Sequence, residues 1–446
     1  MAAETAREDS SFRTIRLFAL LVALALSILA AFRGGYIGPD YDMHMARLTS
    51  WDKVFDFAAT SPPGYYLIGH ALFRLIGAQN AFPITLSIFQ ATINAVALWY
   101  FFQYTARAFN SRWLHLALAL FLTFLPVRVI HAAVIGTDCA TIPLFVLLLF
   151  LFDKVRTEET ATVKNAALLG FGLSIAVFAK YSFMALLPAI FLVLFAIWQM
   201  RRWGWKRFGA ICALSLVVPT VFSLFSFWAS SRVHGYNTEK HWLGRNAAAD
   251  MNYKDLLSVK AADVQLFRAP EYFKRDILVA HKHGYLALSH MGTFSDPMNL
   301  FQDLSVPQRY DSILIPDQKT RRPWKVPVMK MSILSGVPWT LLGLIGTAWA
   351  LVGAGRRFGR DQLKREDIAL IFGTAFFLLM FLPIPFVHAG ALFGYWTPRL
   401  ILPSLLCFFL AGFLFIDQKI SANGKPAIAL LGLVIVQCAI EATLLS

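Results

Sequence analysis

Charge is scarce in this chain. Asp, Glu, Lys and Arg make up 15% of its 446 residues, against roughly 25% in soluble domains. Hydrophobic residues reach 57%, and mean hydropathy is +0.58. That composition excludes an ordinary soluble domain. Acid is scarcer than base: 26 Asp and Glu face 41 Lys and Arg, for a net charge of +15. A surplus of this sign can serve nucleic acid, but here the bases flank apolar runs, where anionic headgroups and the positive-inside rule account for them. No nucleic-acid partner is expected. The only cysteines are Cys139, Cys212, Cys407 and Cys438, all inside apolar runs and without CxxC spacing. Neither a disulfide framework nor a thiolate metal site is expected. The chain has no P-loop, no GxGxxG after a strand and no GxSxG, so nucleotide binding and a serine nucleophile lack support.

Long apolar runs are plentiful. Runs of bilayer-spanning length, about 17–25 residues, cover 15–33, 83–104, 113–130, 138–153, 165–180, 182–200, 208–229, 333–354, 367–387, 396–416 and 427–444. The fold class expected is an all-α polytopic membrane protein of about 11 transmembrane helices. The first run continues into Arg33-Gly34-Gly35 with no small-residue cleavage site, and reads as a retained span. Lys and Arg concentrate in alternate loops, such as Arg201, Arg202, Lys206 and Arg207, or Arg356, Arg357, Arg360, Lys364 and Arg365. The opposite loops hold few: Arg33, Arg47, Lys53, Arg74 and Arg128. This bias places the N-terminus inside and the C-terminus outside. The expected division is an N-terminal membrane module (1–229), a large outer loop (230–332) and C-terminal membrane helices (333–446).

Two outer segments are long. In 34–82, residues 43–58 carry apolar side chains at helical spacing, and a break at Thr60-Ser61-Pro62-Pro63 precedes an amphipathic stretch, 64–77, suited to the interface. The segment 230–332 is rich in turn residues and too long to be structureless; a mostly helical cap is expected. Within it, Asp263–Ser289 reads as holding a helix, Gly284 as a break, and Gly292–Pro297 as a turn.

The acidic stretch Asp40-Tyr41-Asp42-Met43-His44 follows the first span directly. Charge at a membrane face needs water, metal or substrate to receive it. Asp40 suits either a general base or the cap of a helix beginning near Tyr41. Asp138, in Gly136-Thr137-Asp138, maps to the same face and reads as a site carboxylate or a cap of the fourth span. Lys180 and Arg399, at outer span ends, suit a lipid-borne phosphate or snorkelling to headgroups. His44, His70, His131, His234, His241, His281, His283, His290 and His388 all map outside, and only His115 inside. A divalent-metal site using His44 is one reading, a solvated polar surface the default.

Taken together, these residues resemble the GT-C superfamily of membrane glycosyltransferases, in the branch of protein O-mannosyltransferases and lipid A aminoarabinose transferases. The resemblance rests on Pro39-Asp40-Tyr41-Asp42 after the first span, Ser61-Pro62-Pro63-Gly64-Tyr65-Tyr66 opening an interfacial helix, Asp138 before the fourth span, Ala179-Lys180-Tyr181, and Arg399-Leu400-Ile401-Leu402-Pro403. It departs at Tyr41, where many relatives carry Glu, and at Ser61, where the aminoarabinose transferases carry Lys.

The resemblance implies a GT-C-type fold with interfacial helices in the first outer loop. It implies transfer of a sugar from a polyprenyl-phosphate donor to a glycan, lipid or protein hydroxyl, with inversion, at the outer face of a bacterial inner membrane. Asp40, or Asp42 in its place, would be the base. Asp138 would assist near the acceptor or a metal, and Lys180 and Arg399 would hold the phosphate. Tyr65, Tyr66 and Tyr395 are expected to bind substrate. Two other readings compete: a transporter or flippase of lipid-linked sugars, and an O-antigen ligase or polymerase. The first calls for charges at the bilayer midplane and inverted repeats. Neither is visible in the sequence.

Overall fold

The computed structural model describes residues 10–32, 41–55, 62–77, 81–157, 161–201, 204–221, 224–225, 263, 285–295, 325–360, 362–381, 401–420 and 424–445. Among them there is helix and no strand. The first long helix, α1, is Ser10–Ala30. Two short helices of the first outer segment follow, α2 (Tyr41–Thr49) and α3 (Gly64–Ile76). The N-terminal bundle continues with α4 (Phe82–Thr105), α5 (Arg112–Phe124), α6 (Pro126–Ala133), α7 (Thr141–Arg156), α8 (Val163–Ala179), α9 (Leu186–Arg201) and α10 (Trp205–Cys212). The remainder supplies α11 (Tyr285–Phe294), α12 (Lys325–Phe358), α13 (Arg365–Phe381), α14 (Leu402–Ile420) and α15 (Gly424–Leu445).

Six of the described helices are long and apolar enough to cross a membrane, or seven if α5 and α6 form one bent span. The protein is thus a helical, multi-pass membrane protein in architecture. The bend of 51° between α5 and α6 has a local cause. Pro126 has no N–H to give the preceding turn. Arg128 covers the opened turn: its Nη2 donates to the Thr123 carbonyl at 2.5 Å and its Nη1 to Ser27 at 3.5 Å. Arg128 is therefore buried, not the outer-loop cation expected from charge counting.

Helices α7 and α8 run in opposite directions, and the bundle has two chemically distinct ends. Asp153 and Arg156 close α7, and α8 returns to put Lys180 beside Asp138. At the Asp153 end, Asp153 accepts from Arg156 at 2.6 Å and from Arg365 at 2.8 Å. Asp367 pairs with Arg357, and Asp417 accepts the backbone N–H groups of Asn110 and Ser111 at 2.7 and 2.8 Å. These are the clusters where the sequence concentrates inner-loop base.

In the C-terminal half, α12 crosses α14 at backbone distance. A Cβ on Gly346 would lie 2.5 Å from the Ala411 carbonyl, and Gly412 faces Gly343. Small residues permit such approach where lipid offers no hydrophobic drive. Nearby, Phe121, Phe294, Trp339, Phe409 and Phe413 form an aromatic centre, with Trp339 and Phe413 stacked at 5.8 Å.

Two expectations for the large outer segment need correction. Gly292, Thr293 and Phe294 are not a turn but the end of α11, because Phe294 is buried against Gly336 and the aromatic centre. Residues 325–332 belong to α12, not to the loop. Helix α11 is described from Tyr285, and Gly284 lies outside the described residues. The remainder of 230–324 apart from residue 263 and 285–295 lies outside the described residues, as does the His281/His283 pair.

Candidate functional site

The described parts of residues 34–82, α2 and α3, pack together around Tyr66. Helix α2 begins at Tyr41, as expected, but stops at Thr49 before a short 3-10 turn, Trp51–Lys53. The Arg47 guanidinium is buried. It lies 3.5 Å over the Tyr66 ring and donates from Nε and Nη2 to the Val54 carbonyl at 3.2 and 2.8 Å. Tyr66 is fully buried, and its hydroxyl lies 2.7 Å from His44 Nδ1. His70 Nδ1 donates to the Leu48 carbonyl at 2.9 Å. Two helices too short to hold themselves are thus pinned by a cation–π contact and side-chain hydrogen bonds. Gly64 seats α3 on α8: a Cβ there would meet the Phe178 carbonyl at 2.6 Å.

The loop after α6 is held from α4. Ser87, Gln90 and Asn94 lie three and four positions apart, on one face of that helix. Ser87 donates to the Ala133 carbonyl at 2.6 Å, and Asn94 to the Cys139 carbonyl at 2.8 Å. Gln90 donates at 2.5 Å to the Tyr65 hydroxyl, which also accepts the Gly136 N–H at 3.1 Å. Burial holds the Tyr65 phenol well above its usual pKa, so it stays protonated. His44 lies over the open face of Gly136, where an added Cβ would stand 3.2 Å from Nε2.

This fastening places Asp138 in a single 3-10 turn, Thr137–Ala140, at the mouth of α7. Its carboxylate pairs with the Lys180 ammonium, which also donates to Thr141 at 3.3 Å. Lys180 is 8% exposed and follows the last residue of α8. Ala140, which precedes α7, makes no side-chain cap, and Asp138 in the turn before it takes part in the ion pair. The α2–α3 unit, the Gly136–Asp138 turn and Lys180 thus meet at one end of the bundle.

Among the residues expected to act, Asp42 is exposed in the first turn of α2. His44, Asp138 and Lys180 are gathered as described. Tyr65 and Tyr66 are buried with their hydroxyls engaged by the protein, an arrangement that positions neighbours. Asp40, Tyr395 and Arg399 lie outside the described residues. The solvated histidine surface is not what the described outer histidines form: His70, His131 and His290 are buried. Among the described residues, no three His, Cys, Asp or Glu side chains converge as a metal cage.

Sequence reasoning passed over Gln90 and Asn94. Two carboxamides four apart in an otherwise apolar run were the available signal, since polar groups in a span face the protein interior.

No protein-family model matches this chain, and no curated protein matches it in sequence.

Proposed function

We propose that the protein is an integral-membrane glycosyltransferase that moves a sugar from a polyprenyl-phosphate donor to an acceptor hydroxyl. The observation that carries this reading is the juxtaposition of the Asp138–Lys180 pair with the short helices of the acidic first outer segment. A lysine held at a membrane face by one carboxylate and one hydroxyl is a ready counter-charge for an arriving phosphate. Asp138 keeps the ammonium oriented until the donor anion displaces or joins it.

In this scheme Asp40 or Asp42 takes the proton of the acceptor hydroxyl. The acceptor oxygen bonds to the anomeric carbon, the bond from that carbon to the phosphate oxygen breaks, and the electron pair leaves with the phosphate. Attack from the opposite side inverts the centre. Lys180 and Arg399 stabilise the leaving phosphate. The reading carries with it a bundle of eleven spans of GT-C type and a site on the outer face of a bacterial inner membrane. Its partners are the lipid-linked sugar and a glycan, lipid or protein acceptor.

The test is sugar transfer in proteoliposomes, using polyprenyl-phosphate hexoses and pentoses labelled in the sugar and a crude envelope fraction as acceptor. Asp138→Asn and Lys180→Gln are each expected to lower transfer at least 100-fold while the protein still elutes as a folded monodisperse species. Transfer by both variants at the wild-type rate refutes the assignment.

A further inference from the structure

An apolar groove of about 430 Å³ runs between α11, α12, α13 and α14. Along α12 it follows Thr340, Leu344, Thr347 and Leu351, a stripe at helical spacing facing one way. Gly373 and Thr374 of α13 and Ser404 and Leu405 of α14 line it from the other side. Its rim is open to the bilayer side, since Leu286, Leu344 and Leu378 remain 42–45% exposed.

We propose that this groove holds one fatty acyl chain of an ester-linked bilayer phospholipid, a resident lipid separate from the sugar carrier. Three observations support that occupant. The first is the lining. Leu344, Leu351, Leu370, Leu378, Leu405 and Phe408 face the space, so a hydrocarbon chain entering from the bilayer meets apolar surface along its length.

The second is placement. Helix α13 stands between the groove and the Lys180 site. Phe376 packs 5.1 Å from Phe183, just after Lys180, and Phe372 packs 5.0 Å from Phe152. Gly373, Thr374 and Phe377 face the groove. The third is polarity. The Ser289 and Thr347 hydroxyls line the groove, are shielded from solvent and have no hydrogen-bond partner. A purely hydrocarbon occupant leaves both unmet, whereas the ester end of a phospholipid supplies acceptors. His290 cannot take that role. Its Nε2–H donates to the Ile333 carbonyl at 2.9 Å, so its Nδ1 is the acceptor of the Thr340 hydroxyl at 2.7 Å.

The test uses the full chain in vesicles of phosphatidylethanolamine and phosphatidylglycerol. The vesicles are doped with a phosphatidylglycerol carrying a photoactivatable diazirine in one acyl chain. Illumination and peptide mapping are expected to place label on 340–351 and 370–378. Ala348→Trp, which fills the groove from α12, is expected to cut labelling there at least fivefold. Thr374→Phe repeats the block from α13, so a folding failure in one variant leaves the other decisive. Unchanged labelling in either folded variant overturns the proposal. So does loss of wild-type label when farnesyl phosphate or a long polyprenyl phosphate is added, because that assigns the groove to the carrier. Because the site lies behind α13, the outcome is independent of whether Lys180 variants transfer sugar.

Discussion

At the scale of single residues, the side chains that matter most here are those with two jobs. Tyr65 is one: its hydroxyl accepts from both Gln90 and the Gly136 N–H. Tyr65→Phe strips both donors of their partner inside the protein. The expected loss is about 1–3 kcal/mol, read as a lowered midpoint of thermal unfolding in detergent. The same residue predicts a pH effect. Its folded pKa is raised by burial, so the unfolded chain ionises first. Stability is indifferent to Tyr65 below about pH 10. It then falls by about 1.4 kcal/mol per pH unit as pH rises toward the folded value. Tyr65→Phe removes that slope, and parallel melts at pH 9 and pH 11 reveal it. Lys180 and Asp138 form a second such pair. Replacing Lys180 by Gln leaves Asp138 in a mostly buried setting without its counter-ion, so some stability is lost with activity. The double variant Asp138→Asn/Lys180→Gln is expected to regain stability but no transfer. Recovery of transfer in the double variant would make the pair purely structural.

At the scale of elements, close backbone approaches decide where the site sits. Gly64 lets the N-terminus of α3 rest on the end of α8, one turn from Lys180. Gly64→Ala forces a Cβ against a carbonyl, a fixed group that cannot swing aside as a side chain can. Helix α3 is expected to lift, carrying Tyr65 and Tyr66 with it, and limited proteolysis of the 41–77 segment is expected to quicken severalfold. Gly77→Ala is the contrasting control. Gly77 ends α3 at φ 67 with open space around it, so the cost there is only about 1 kcal/mol of backbone strain. Cleavage is expected to change little.

Much of this layer was legible in the sequence. Helical spacing and the Pro62-Pro63 break located α3, and the residue after Asp40 began α2. The bend at Leu125 was not read, because Pro126 sits in a run whose apolar composition passes unbroken through it. Arg47 and Arg128 counted as loop cations because charge counting sees sequence position and not the carbonyl or ring each one covers. The Gln90–Tyr65–Gly136 junction joins three distant segments, and no local pattern encodes it. The Asp138–Lys180 pairing was half legible: both were marked as outer-face candidates, but their contact depends on α7 and α8 returning to one end.

At the scale of the whole molecule, the two ends of the bundle differ in kind, and that difference makes orientation testable. One end holds the Asp153–Arg156–Arg365 and Arg357–Asp367 pairs, with exposed Lys154, Arg360 and Lys364 around them. The other holds α2 with Asp42, α3, the Gly136–Asp138 turn and Lys180. By the positive-inside rule the first end is the one expected to face the cytoplasm. Cysteine substitution can read this directly, because Cys139, Cys407 and Cys438 are buried and only Cys212 is half-buried. In a Cys212→Ser background, Lys53→Cys is expected to react with a membrane-impermeant maleimide in cells whose inner membrane is intact. Lys364→Cys is expected to react only after that membrane is permeabilised. Both substituted side chains are exposed, so protection reports the membrane and not the fold. The reverse pattern would set Asp138 and Lys180 facing the cytoplasm. It would remove the outer-face transfer reaction, while the packing of α2 and α3 on Tyr66 would remain as described.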